Sequence, residues 1–177
     1  AVYHRFSSID DLDRIRQFPG SPNGTYSQQL AHALVREFFQ KIDVHIDLHS
    51  GTDRPTVDYV YIENDEELSR AFGSRVLYRP VQGKQGTTFA GTTKAVTIET
   101  LGISSVVIEL GGGIVDQGPY CKRTLDGILN MLRVRGAISG EAAPNPKQIV
   151  VTELAGIRPV HGGWLEPLCP ANGDFIS

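Results

Sequence analysis

From Ser105 to Leu110 the chain reads Ser-Val-Val-Ile-Glu-Leu, a nearly unbroken apolar run that ends on three glycines, Gly111 to Gly113. Such a run has no polar face, so as a strand it must be covered on both sides. That requires helices packed on a sheet, and the rest of the sequence supplies them. Thr25 and Gln28 form a capping-box pattern. Leu30, Leu34 and Phe38 follow at helical spacing, with Ala31, Val35 and Phe39 beside them, predicting one wide apolar face. Ile42 to Leu48 alternates, with Asp43, His45, Asp47 and His49 on the second face of a strand.

Further strands are predicted at Val57–Ile62 and Val76–Val81. Helices are predicted from an Asn64/Glu67 cap to Gly73, from about Thr92 to Leu101, and around Leu125, Ile128, Leu129 and Leu132 up to Gly136. Strands alternating with helices specify an α/β domain. Ser139 to Pro146 reads as a linker, and Gln148–Thr152 and Ile157–Val160 as short β pieces. The expected division is therefore residues 1–143, α/β, and 144–177, part of a small all-β unit.

Composition narrows the function. With 177 residues, 40% hydrophobic and 21% charged, the chain can bury a core without disulfides. Its formal charge of −3 gives no reason to expect nucleic acid or an anionic membrane surface. No apolar run is long enough to span a bilayer, and Ala1 to Phe6 does not read as a signal peptide. Cys121 and Cys169 are too few for a disulfide framework, so a cytoplasmic location is the default expectation. Nothing in the sequence excludes a homo-oligomer. The absence of an initial Met and a last strand broken off at Ser177 are expected of a fragment.

Two positions carry chemistry by their placement. His49 and Glu109 each sit at the carboxyl end of a predicted strand, before Ser50-Gly51 and before Gly111 respectively. Ligands bind beyond such ends in open α/β sheets. A carboxylate in a buried strand needs a partner or a task, so Glu109 reads equally as a structural group or as a functional one. His49 alone reads first as a hydrogen-bonded boundary residue. Asp47, two residues back on the same face, adds a carboxylate able to orient its imidazole. His45 shares that face, but four strand residues put it roughly 13 Å from His49, too far for one ion. His45 is expected to be structural. His4, His32 and His161 are isolated, and Asp65-Glu66-Glu67 is expected only to favour a helix N-terminus. The Gly111–Gly113 run is no phosphate loop, since no Gly-Lys-Ser/Thr follows.

Three segments, in order, resemble the succinylglutamate desuccinylase/aspartoacylase family, relatives of the zinc carboxypeptidases. Asp13-Arg14-Ile15-Arg16-Gln17-Phe18-Pro19-Gly20 resembles its Asp-Leu-Asn-Arg-x-Phe-Pro-Gly, Ile46-Asp47-Leu48-His49-Ser50-Gly51 its Ile-Asp-Leu-His-Ser-Gly, and Val107-Ile108-Glu109-Leu110-Gly111-Gly112 the segment holding its catalytic Glu. Arg158-Pro159-Val160-His161-Gly162-Gly163-Trp164-Leu165-Glu166-Pro167-Leu168 resembles the start of its small β domain.

The resemblance implies a mixed central sheet flanked by helices, carboxypeptidase-like, and a zinc-dependent hydrolase cleaving the amide bond of a small N-acyl amino acid. His49 would be a zinc ligand, Asp47 its orienting carboxylate, Glu109 the catalytic general base and Arg16 the substrate-binding residue. Two departures stand out. No His here is followed by Glu at the family's His-x-x-Glu spacing, so one of three protein ligands is present and the chain alone is expected to be inactive. Ile15 also stands where the family has a substrate-binding Asn, and Arg5, eleven residues before Arg16, does not match the family's spacing of ten. The rival readings are a zinc carboxypeptidase acting on peptides and a non-catalytic scaffold of the same fold.

Overall fold

The computed structural model describes residues 6–51, 57–81, 90–112, 116–153 and 160–162. Among the described residues, five strands, β1 (Val44–Gly51), β2 (Val57–Tyr61), β3 (Val76–Tyr78), β4 (Ser104–Gly112) and β5 (Ile149–Val151), form one sheet in the order β1-β4-β2-β3-β5. The α-helices among the described residues are α1 (Tyr26–Glu37), α2 (Glu66–Ala71) and α3 (Gly118–Val134). The sheet is mixed: β2 runs antiparallel to β4 and parallel to β3, and β3 is parallel to β5. This is the expected fold class. No helix among the described residues is long and apolar enough to cross a membrane.

The chain divides into two compact units, Ala1–Asp47 with Gln82–Ser105, and Leu48–Val81 with Val106–Ser177. The second holds the apolar centre. Val60 pairs with Ile108 on one side and Leu77 on the other, and all three are fully buried. Val106 and Leu68 are buried as well, which satisfies the apolar run that the sequence placed in β4. An ion pair braces α3 against β2: the Arg123 guanidinium donates twice to the Asp58 carboxylate, and Ser74 Oγ donates to the same group at 3.1 Å.

In the first unit, Asp10 ties the N-terminal loop to α1. Its carboxylate accepts from the Ser27 N–H at 2.7 Å and from Ser27 Oγ at 2.8 Å. The capping-box Gln28 accepts from the Thr25 N–H at 3.0 Å, as the sequence predicts. The buried stripe differs from expectation. Ser27, Ala31 and Phe39 are buried, whereas Leu30, Leu34 and Phe38 are 37%, 39% and 53% exposed. Gly20 explains part of this, because a Cβ there would lie 2.3 Å from the His32 nitrogen, so the loop lies directly on the helix backbone.

Other boundaries move for local reasons. Asp65, not Asn64, caps α2 by accepting from the Leu68 N–H at 2.9 Å. The acidic start of α2 also does more than meet the dipole, since Asp65 pairs with Arg135 and Glu66 with both Arg70 and Arg79. The helix expected over 92–101 is a π-helix, Ala95–Thr100, closed by Leu101 N–H donating to the Val96 carbonyl. Its Val96, Thr97, Ile98 and Thr100 are β-branched and crowd a regular α-turn. In α3 the buried residues are Gly127 and Met131, while Leu125 is 57% exposed; a Cβ on Gly127 would lie 2.4 Å from the Phe72 ring. β3 stops at Tyr78, and β5, assigned from sequence to the tail, pairs with β3 in the main sheet. The Ile157–Val160 piece lies outside the described residues except for its last position.

Candidate active site

β1 and β4 are neighbours in the sheet, and His49 and Glu109 lie in their last few residues, each half-buried. Four positions earlier on the same strands, His45 Nδ1 meets Ser105 Oγ at 3.2 Å. That contact puts the odd-numbered side chains of β1 and β4 on one face. Alternation carries the same assignment forward to His49 and Glu109. His45 itself is structural, as expected: it is buried, its ring stands edge-on to Phe39 at 5.4 Å, and Thr97 Oγ1 lies 3.4 Å from Nδ1.

Glu109 faces Tyr59 directly across the antiparallel β2–β4 pair. Tyr59, Tyr61 and Tyr78 form a cluster, with ring centroids 5.4 Å apart for Tyr59–Tyr61 and for Tyr61–Tyr78, and the Tyr59 and Tyr61 hydroxyls at 3.5 Å. Burial raises the proton affinity of both Tyr59 and Tyr61, and the negative charge of Glu109 raises each further. Both phenols therefore keep their protons to higher pH than an exposed tyrosine does. The sequence reading passed over them, although Tyr59 and Tyr61 stand two apart in a predicted strand and so share a face.

A cavity of about 460 Å³ lies between the strand ends and α3, walled by Leu48, Ser50, Leu110, Tyr120 and Leu125 among others. Its even-numbered strand residues belong to the face opposite Glu109, which does not line it. His49 borders the cavity from β1, the first strand in the sheet order.

Arg16 and Asp47 belong to the first unit. Arg16 closes a 3-10 turn, Arg14–Arg16, and its exposed guanidinium pairs with Asp13 at 3.3 Å. Ile15 beside it is 41% exposed and has no polar group to offer. Asp47 is half-buried and accepts from Thr93 Oγ1 at 2.8 Å. No local sequence signal marks Thr93, which lies far from Asp47 along the chain.

The donor types fit zinc, which takes imidazole and carboxylate ligands. The donor count does not close a site: among the described residues, no group of three His, Cys, Asp or Glu side chains could hold a metal ion. His49 can supply one ligand.

Comparison with known proteins identifies the architecture. Residues 2–135 match the succinylglutamate desuccinylase/aspartoacylase catalytic domain. The chain is 29% identical to an N-alpha-acetyl-L-2,4-diaminobutyric acid deacetylase of Halomonas elongata, an alignment covering 98% of this chain and 53% of that protein. Among solved structures, a succinylglutamate desuccinylase/aspartoacylase from Rhodobacter sphaeroides matches with a TM-score of 0.67 and 28% identity, covering 84% of this chain and 47% of that one. The product-bound ectoine utilization protein EutE (DoeB) from Ruegeria pomeroyi shares the fold, with a TM-score of 0.71 at 24% identity over 85% of this chain and 47% of that one. The chain thus spans about half the length of the relatives it matches.

Proposed function

The chain belongs to the succinylglutamate desuccinylase/aspartoacylase family, and from that premise we propose that it carries the catalytic carboxylate of an enzyme that hydrolyses the amide bond of a small N-acyl amino acid. The observation that carries the reading is the placement of Glu109 at the end of β4, on the same face as His49 at the end of the neighbouring β1. The relative named for deacetylating an N-acetyl diamino acid supports the substrate class.

In this reading Glu109 takes the proton of the attacking water and delivers it to the departing amine, the work of a general base and then a general acid. A half-buried strand end gives the carboxylate a fixed direction, with the phenol of Tyr59 as its cross-strand neighbour. Arg16 binds the substrate's carboxylate, for which an exposed guanidinium fork is suited. Its pairing with Asp13 is the contact that substrate would replace. Asp47 orients the His49 imidazole. A zinc ion held by His49 and by ligands beyond the described residues would polarise the scissile carbonyl and activate water. The products are a carboxylic acid and a free amino acid.

Glu109→Gln in the complete, zinc-loaded polypeptide tests the assignment. The expected result is a fall in kcat of about 10²–10⁴-fold with thermal midpoint and zinc content nearly unchanged. A lowered midpoint with full activity per folded molecule would make Glu109 a structural carboxylate.

A further inference from the structure

The turn running through Gly91, Thr92 and Thr93 takes no part in the chemistry above, yet it touches both first-unit residues on which that chemistry depends. On one side Gly91 lies on the backbone of Arg16. A Cβ added to Gly91 would come within 2.6 Å of the Arg16 carbonyl oxygen and 3.1 Å of its carbon, so no other L-residue fits without moving that peptide. Gly91 also has φ +82°, a conformation that L side chains rarely adopt. Its own carbonyl accepts from the Phe18 N–H at 2.8 Å, so the loop is held at two points on either side of Gln17.

On the other side, two residues along, Thr93 Oγ1 donates to the Asp47 carboxylate at 2.8 Å. The turn is itself anchored. Thr92 Oγ1 accepts from the Ala95 N–H at 3.3 Å, leading into the π-helix whose Val96 and Thr97 are buried. Neither end of this arrangement can shift far without breaking a contact at the other.

We propose that Gly91 and Thr93 are positioning residues: Gly91 sets the Arg16 loop by backbone contact, and Thr93 fixes the Asp47 carboxylate, both from one anchored turn. The inference rests on the roles given above to Arg16 and Asp47. Its chemical consequence is that the carboxylate-binding arm and the imidazole-orienting group keep a constant separation. A misplacement of about 1 Å in such a site can cost on the order of 100-fold in rate.

The test compares Gly91→Ala, Thr93→Val and Thr93→Ser in the complete polypeptide, using N-acetyl amino acids as substrates, zinc alone as the metal probe, and amide hydrogen exchange. Gly91→Ala should raise KM roughly 10- to 100-fold, with a smaller change in kcat. Made on top of Arg16→Ala it should add almost nothing, because the residue it acts through is gone. Thr93→Val should weaken zinc binding by about tenfold or more, and Thr93→Ser, which keeps the hydroxyl, should restore it. An equal effect of Gly91→Ala with and without Arg16, or identical behaviour of Thr93→Val and Thr93→Ser, overturns the proposal. If no N-acyl amino acid is turned over, the functional reading fails while the positioning is still decided by exchange. Gly91→Ala must then strip protection from the Phe18 amide while α1 amides keep theirs, and retained protection at Phe18 refutes it. Should Gly91→Ala not fold, the Thr93 pair decides.

Discussion

Tyr59 stands directly opposite Glu109 across the β2–β4 ladder, so a phenol that resists ionisation is the cross-strand neighbour of the half-buried carboxylate. Side chains paired this way have their Cβ atoms about 5 Å apart. Charge on one is therefore felt by the other, and the effect has a measurable signature.

Tyr59 and Tyr61 both have raised pKa values, from burial first and from Glu109 as a further cause. A raised folded pKa means that the native state keeps its proton where the unfolded chain has lost it. The contribution to stability is then complete below the unfolded value of about 10 and declines as pH rises beyond it. Ultraviolet difference titration, with Tyr59→Phe and Tyr61→Phe as references, should place the ionisation of these two phenols above pH 10 in the folded protein. Ionisation of Tyr59 and Tyr61 near pH 10 in the folded protein would contradict this.

Asp10 gives the opposite dependence. Loss of solvent pushes its carboxyl up, but hydrogen bonds from the Ser27 backbone and side chain, Ser7 and Thr25 outweigh that and hold it well below the usual carboxylate range. A depressed folded pKa contributes stability above the unfolded value of 3.8, which is lost as pH falls below it. The thermal midpoint should therefore drop between about pH 4 and pH 2, and less steeply in Asp10→Asn. Equal slopes for the two proteins would show that the loop-to-helix tie contributes nothing.

Asp58 is the residue to remove in order to loosen α3. It accepts from Arg123 twice and from Ser74, and its side chain is only 17% exposed. Asp58→Ala leaves the Arg123 guanidinium, 40% exposed, without its carboxylate. The expected loss is about 1–3 kcal/mol, below the ~3–5 kcal/mol typical when a fully buried pair is broken. Chemical denaturation measures it directly, and Arg123→Met should cost less, because the acidic partner left behind can still bond to Ser74.

For the 177-residue chain by itself, weak zinc binding and no turnover are expected, since His49 offers a single imidazole and the described residues hold no three-ligand group. Tight stoichiometric zinc in a calorimetric titration, accompanied by deacylation, would reveal a complete ligand set within this chain.

The elements legible in the sequence were those whose pattern and environment agree. Ser105–Leu110 had to be a doubly covered strand, and β4 runs through it with Val106, Val107 and Ile108 buried. His49 and Glu109 were singled out because each precedes a glycine-containing strand end, and both lie near the ends of their strands. What was hidden depends on partners distant in the chain. The burial of Ala31 rather than Leu34 follows from Gly20 lying on the helix, and Gly127 is buried because Phe72 packs against it. Thr93 reaches Asp47 through folding alone. No periodicity records such meetings, so the contact between Thr93 and Asp47 leaves no trace in the sequence pattern.

β5 reaches its place beside β3 only after about 70 intervening residues, with Ile149 settling opposite Val76. During synthesis β2, β3 and β4 are all complete long before β5 emerges from the ribosome. For that interval β3 presents a row of unpaired amides and carbonyls, an open template for another nascent chain. Expression systems that slow translation across residues 112–148, or truncations that stop short of Val151, should therefore shift the product toward aggregates. Once paired, β5 covers the β3 edge from Val76 to Tyr78.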